Sequence, residues 1–136
     1  MSHSAVIAAL AEHYNNGAFG LETADENVKF EPTSGQPWAG LFYLPAQPVA
    51  TTQGTQGLDQ VDGVYQIDLN YPLDEGEADI LAKADEIISH FKAGTKLLYS
   101  GQAVTLKASG RSPGQIVNSQ YRISISCGFY AHISRA

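Results

Sequence analysis

From Tyr65 to Tyr71 the chain alternates without a break: Tyr65, Ile67, Leu69 and Tyr71 point one way, and Gln66, Asp68 and Asn70 the other. That period of two predicts a half-buried strand running from about Gly63. Pro72 has no N–H for a ladder and ends it. The period then changes. Ile80, Leu81, Ala84, Ile87, Ile88 and Phe91 recur at the spacing of one helical face, so the spacing predicts a helix packed by that stripe. Asp74, Glu75, Glu77 and Asp79 precede or open it, where acids complement the positive end of the helix dipole. Gly94 suits a left-handed cap at its far end.

The rest of the chain divides by the same criteria. Val6, Ile7, Leu10 and Tyr14 form the stripe of a first helix, from Ser2 or His3 to about Asn15, with Ser2 or Ser4 as its cap and Asn16-Gly17 as its stop. A short strand is expected near Asn27–Phe30, then a turn at Pro32-Thr33-Ser34-Gly35. A second strand covers Trp38 to Leu44, with Trp38, Gly40, Phe42 and Leu44 on one side. The stretch from Val49 to Asp62 is rich in Thr, Gln and Gly, and reads either as a long flexible loop or as hairpin arms that order on contact. Lys96–Tyr99, a turn at Ser100-Gly101, and Ala103–Ser109 read as a hairpin. Gly110–Gly114 is a further flexible connection. The last element alternates from Tyr121 to Ile133, long enough for a bend to be expected near Gly128. The order α-β-β-β-α-β-β-β predicts one α+β domain over residues 1–136, two helices packed on a mainly antiparallel, twisted sheet.

Composition narrows the reading. At 136 residues and 43% hydrophobic content the chain suits one domain, while 16% charged residues is sparse. The single cysteine, Cys127, excludes an internal disulfide, and its place on the alternating apolar face makes it a buried thiol rather than a nucleophile. No apolar run approaches the roughly 18 residues of a membrane helix. The start lacks a basic region followed by an apolar one, so a signal peptide is not expected, and the protein reads as soluble and made in the cytoplasm.

The net charge of −6 conceals a division. All 14 acids lie between Glu12 and Glu86, and with Lys29 and Lys83 that segment carries −12; residues 87–136 carry six basic residues and no acid, +6. Either strands of the two segments interleave in one sheet, or an acidic and a basic surface meet between subunits. A net acidic chain is a poor partner for nucleic acid, whose phosphates need clustered Lys and Arg.

Candidate chemistry is thin. The four histidines, at 3, 13, 90 and 132, sit on separate elements without ligand spacing, so no metal site is expected. The acidic run from Asp74 to Asp79 lacks the alternation and glycine turn of a calcium loop. Gly110–Gly114, with Arg111, has neither the lysine nor the following helix of a phosphate loop. Ser124 and Ser126 lie in a strand rather than on a nucleophile elbow. Asp68 has no partner at catalytic spacing and reads as exposed or paired across strands, for instance with Arg122. No catalytic residue and no cofactor are assigned, and an enzyme is not expected. Most tyrosines alternate onto apolar faces; Tyr130 projects with the polar set and reads as an interface residue.

Several phrases carry a resemblance: Pro37-Trp38 opening a strand, Leu44-Pro45-Ala46 closing it, Tyr65-Gln66-Ile67-Asp68-Leu69-Asn70-Tyr71-Pro72 with the acidic turn at Gly76, and Phe91-Lys92-Ala93-Gly94-Thr95. In order and spacing, over essentially the whole chain, they resemble the tail terminator proteins of long-tailed bacteriophages, the lambda minor tail protein U type. The resemblance implies an α+β subunit of a ring, commonly a hexamer, that caps the tail tube and offers a surface for head attachment. Its implied partners are further copies of itself, the tail tube protein and a head-completion protein, without sequence-specific nucleic-acid binding and without a membrane. Its implied place is the virion tail, and the host cytoplasm during assembly.

A ring needs contact elements, and the residues expected to supply them are Thr51, Thr52, Gln53, Thr55, Gln56 and Asp59 in the polar segment, with Arg111, Arg122, Tyr130 and Arg135 in the basic one. A segment from Thr51 to Gln60 is expected to be mobile in the free subunit and to order on docking. The alternatives are a head–tail connector or tube protein, or a small-molecule or peptide-binding α+β module that uses the tyrosine-rich sheet.

Overall fold

The structure is a computed structural model and describes residues 3–25, 30–31, 35–52, 54–73 and 76–134. Its elements are α1 (His3–Asn16), β1 (Glu22–Ala24), β2 (Trp38–Pro45), β3 (Val49–Ala50), β4 (Leu58–Pro72), α2 (Ala78–His90), β5 (Lys96–Tyr99), β6 (Gln102–Arg111), β7 (Gln115–Val117) and β8 (Gln120–Ser134). The strands form one sheet in the order β1-β2-β4-β8-β6-β5, with β3 added on β4 and β7 on β8. β1 and β2 run parallel; the other pairs are antiparallel. The α+β class holds. The strand count differs from the expected order, because β1, β3 and β7 are two or three residues long and carry no readable alternation. The strand expected at Asn27–Phe30 and the turn at Pro32–Gly35 fall mostly outside the described residues, and Phe30 is not in a strand.

The sheet is built around β4 and β8, paired without a slip from Leu58↔Ser134 to Pro72↔Gln120. At ~3.3 Å per residue, fifteen residues make a ribbon about 50 Å long. One face of it is the core: Tyr65, Ile67 and Leu69 of β4 lie beside Cys127, Ile125 and Ile123 of β8, all buried. Ile80, Ala84 and Ile87 of α2, with Phe91 just beyond it, close this face, and Phe91 stacks with Tyr65 at 6.3 Å. α1 lies against β5 and β6 and buries Val6, Ala9, Leu10 and Tyr14, and the Tyr14 hydroxyl hydrogen-bonds Thr23 Oγ1 of β1 at 3.2 Å. Ile7, expected in that stripe, is 41% exposed on the helix flank.

Trp38, Gly40, Phe42 and Leu44 do share one side of β2, but it is the outer side. Their register partners Asn70, Asp68, Gln66 and Val64 face away from the core. The buried side of β2 is Ala39 and Leu41, while Phe42 and Leu44 are 40% and 49% exposed. In β2 Phe42 and Leu44 are therefore exposed while the smaller Ala39 is buried, so size does not tell the buried face from the outer one.

Three local features differ from expectation for identifiable reasons. β8 runs unbroken through Gly128; the irregularity lies in β6, where three residues from Leu106 to Ser109 span two in β8, a bulge. A Cβ at Gly128 would stand 3.2 Å from Lys107 Cβ, so glycine relieves the crowding that the bulge creates. Gly94 is left-handed at φ 89° but does not close α2; its N–H donates to the Leu106 carbonyl, while the Phe91 N–H caps the helix on Ile87. The β5–β6 turn places Ser100 and Gly101 both at positive φ, 49° and 82°, the backbone of the tight hairpin turn that matches strand twist.

Candidate functional site

The expected contact residues separate to the two ends of the β4–β8 ribbon. At one end, residues 51–57 join β3 to β4, and Thr51, Thr52, Thr55 and Gln56 are exposed there. Val49↔Gln60 and Ala50↔Asp59 pair as hairpin arms, so the polar segment is strand at its two ends and a connection between them. The connection is tied down: the Thr51 N–H and Oγ1–H both donate to the Leu58 carbonyl, and the Leu58 N–H donates to Thr52 Oγ1 at 2.7 Å. Asp59 is half-buried opposite Ile133. Tyr130 stands on the outer face opposite Asp62, its ring edge-on to His132 at 6.0 Å. Gln53 and Arg135 lie outside the described residues.

The arginines mark the other end. Arg122 lies on the outer face of β8, eight residues from Tyr130 and thus roughly 27 Å along the strand. Its Nε–H donates to Asn70 Oδ1 at 2.7 Å, not to Asp68. Asp68 is buried; it accepts from Gln66 Nε2 at 2.8 Å, and its carbonyl accepts from Asn70 Nδ2. Asp68 is thus part of a hydrogen-bonded outer ladder, neither exposed nor ion-paired with Arg122 among the described contacts. Nearby, Trp38 Nε1–H donates to Gln120 Oε1 at 3.0 Å. Arg111 ends β6, exposed, with a long 3.5 Å contact from its guanidinium to the Ser112 carbonyl.

The charge division maps onto the sheet. β1, β2 and β4 come from the acidic segment and β8, β6 and β5 from the basic one, so the strands do not interleave; the boundary is the β4–β8 pair. Among the described residues one ion pair crosses it, Lys107 Nζ to Asp62 Oδ2 at 3.0 Å, with both side chains nearly half exposed. Gln60 and then Lys107 hold the Asp62 carboxyl below its ordinary range. At the sheet edges, Glu22 and Asp25 lie on or beside β1 and Lys96 lies on β5, while Glu77, Asp79, Asp85 and Glu86 stand on or just before α2.

Sequence reasoning missed two features. The first is a groove of about 480 Å³ between α1 and the acidic half of the sheet, lined by Ile7, Ala11 and Asn15 of α1, by Leu41, Tyr43 and Tyr65, and by Asp25 at its rim. Ile7 was the available signal: with Val6 and Leu10 it makes the apolar arc of α1 too wide for the surface the helix buries. The second is the meeting of His13 and His90, whose rings stack at 3.9 Å. Both sit in the last turn of a helix, which sequence spacing cannot relate. Each Nε2 is engaged with a backbone carbonyl. Among the described residues no group of three or more His, Cys, Asp or Glu is placed to hold a metal ion. No helix is long and apolar enough to cross a membrane.

The surface features that stand out among the described residues are unlike charges at the two sheet edges, a groove and several exposed apolar side chains. A search of curated proteins finds no match. One solved structure superposes with a TM-score of 0.78 over 98% of this chain and 96% of its own, at 20% identity, a likeness of fold. A family model described as phage tail terminator protein matches residues 3–129. The chain belongs to the phage tail terminator family, and is a structural protein associated with the bacteriophage tail.

Proposed function

We propose that copies of this chain join head to tail into a closed ring, six-membered as in the form the family resemblance implies, that caps the tail tube. The ring ends tube growth and presents the surface to which a head-completion protein binds. The match of residues 3–129 to the terminator family carries this reading. The division of charge supports it. A head-to-tail ring needs two different surfaces on each subunit, and the unlike charges at the β1 and β5 edges supply such a pair. Arg111 and Arg122 stand at one end of the ribbon and the 51–57 connection at the other, a separation that suits a subunit with more than one kind of neighbour. DNA passing through the ring meets a subunit of net charge −6, which discourages retention. The role is architectural and requires no catalytic group.

Electron microscopy of purified tail tubes incubated with the protein tests this. A ring-shaped cap on one end of each tube supports the reading. Bare ends at micromolar protein, or long stacks of the protein alone, would overturn it, the latter in favour of a tube protein.

A further inference from the structure

The groove beside α1 and the β5 edge are disposed like the two margins of an overlapping tile. Ile7, Ala11 and Asn15 lie on one flank of α1, spaced four apart and facing β2 and β4. Ala9, Glu12, His13 and Asn16 lie on the other flank, where with Lys96, Leu97 and Leu98 of β5 they line a second, smaller hollow at that edge. The groove therefore opens on the helix side of the sheet, towards the β1 edge. At the β5 edge, Leu97 is buried on the core side of β5, so Lys96 and Leu98 share the opposite face of that strand. Leu98 is 69% exposed, and its register partner Ala103 is exposed as well. One margin thus offers an apolar hollow on the helix side, and the other an apolar knob on the outer side.

We infer that these margins form a lap joint between copies: Leu98 of one copy seats in the groove beside Ile7 of the next, and Lys96 faces Asp25 at its rim. The inference rests on the ring reading and specifies its contact. A second copy is the occupant favoured by charge, because the groove lining carries one charged residue, the acid Asp25, whereas Leu98 has Lys96 on its own face of β5. It is also favoured by handedness of contact. A two-fold contact fills knob and hollow reciprocally and so needs the two side by side on one patch, whereas sites at opposite edges are filled by the same step repeated, which consumes one of each per copy and can close. Burying Leu98 and Ile7 removes apolar surface from water at the centre of the joint, and the charge pair lies at its rim, where it sets register more than strength.

The test uses the full chain and purified tail tubes, with capped ends counted by electron microscopy and folding checked by thermal melting of each variant. Leu98→Asp and Ile7→Asp leave the melting temperature within a few degrees, since both sites are exposed, and each lowers capped ends at least about tenfold. Lys96→Glu weakens capping about threefold in low salt, and adding Asp25→Lys to it restores capping. In the wild-type background, Leu98→Cys and Ala11→Cys joined by a short bis-maleimide give covalent oligomers only on caps. Rings that form normally with Leu98→Asp, or caps that never cross-link between positions 11 and 98, overturn the joint and leave the ring reading standing. Wild-type protein that never caps tubes overturns the ring reading, and the joint with it.

Discussion

His13 and His90 stack face to face, 3.9 Å between centroids and 9° from parallel, and each Nε2–H donates to the other residue's backbone carbonyl, at 2.8 and 2.6 Å. The clasp joins the C-terminal turns of α1 and α2, where helix carbonyls lack partners of their own. Phe91 lies edge-on to His13 at 4.8 Å and Phe19 edge-on to His90 at 5.5 Å, so the pair is walled by aromatics. Burial, only partly opposed by the His90 hydrogen bond, pushes the His13 pKa below 6.5.

A depressed histidine pKa has a defined consequence for stability. The unfolded chain takes up its proton at His13 near pH 6.5 and the folded chain only at lower pH, so the stabilisation is complete above pH 6.5 and is lost as pH falls through the folded value. The melting temperature is expected to decline between about pH 7 and pH 5. His13→Gln is expected to flatten that decline relative to wild type. Parallel slopes for the two proteins would assign the pH dependence to other groups.

Phe91, like Phe129, is among the largest fully buried side chains of the core. Phe91→Ala is expected to destabilise by about 3–5 kcal/mol, the range for large core aromatics cut to a methyl group. Urea unfolding gives the value directly. A loss under about 1 kcal/mol would mean that the surrounding side chains collapse into the space.

The Lys107–Asp62 pair crosses between the two charge segments yet lies nearly half in solvent. Lys107→Ala is expected to cost under about 1 kcal/mol, and less still at high salt. Unfolding in low and in molar salt checks both statements. The bridge marks the boundary between acidic and basic strands without holding the sheet together.

Gly63 shows where a side chain is excluded. A Cβ there would stand 2.7 Å from the Leu44 carbonyl oxygen and 2.9 Å from Pro45 Cα, backbone atoms that cannot rotate away. Gly63→Ala is expected to destabilise by about 1–3 kcal/mol, as over-packing does, although alanine suits a strand better than glycine. Equilibrium unfolding measures it; an unchanged or raised stability would show that β2 shifts freely at its end.

Cys127 is buried, and burial pushes its thiol up to about 12. Native protein at pH 8 is expected to resist maleimide for hours and to be labelled at once in denaturant, read by mass spectrometry. This inertness is what leaves introduced cysteines at positions 11 and 98 as the reactive pair. Rapid native labelling would place the β8 core within reach of solvent.

Long elements were legible because their period is long. The α2 stripe from Ile80 to Phe91 and the alternation of β4 and β8 follow from the sequence alone, and with them the α+β class. β1, β3 and β7 are too short to show a period. The outward face of β2 was not legible, because Phe42 and Leu44 signal burial by size while Ala39 and Leu41 hold the core. The candidate contact residues were chosen by composition, and the ribbon parts them into two groups that no spacing foretells. The groove at Ile7 needs the position of α1 over the sheet, and the His13–His90 clasp needs two helix ends 77 residues apart to meet.

The most direct test of the account is the length of tail tubes grown from purified tube protein with and without this chain. The account predicts that substoichiometric protein stops elongation, giving short tubes with a single ring at the growing end. Tubes that elongate at the same rate to the same lengths, with no ring at either end, would contradict it.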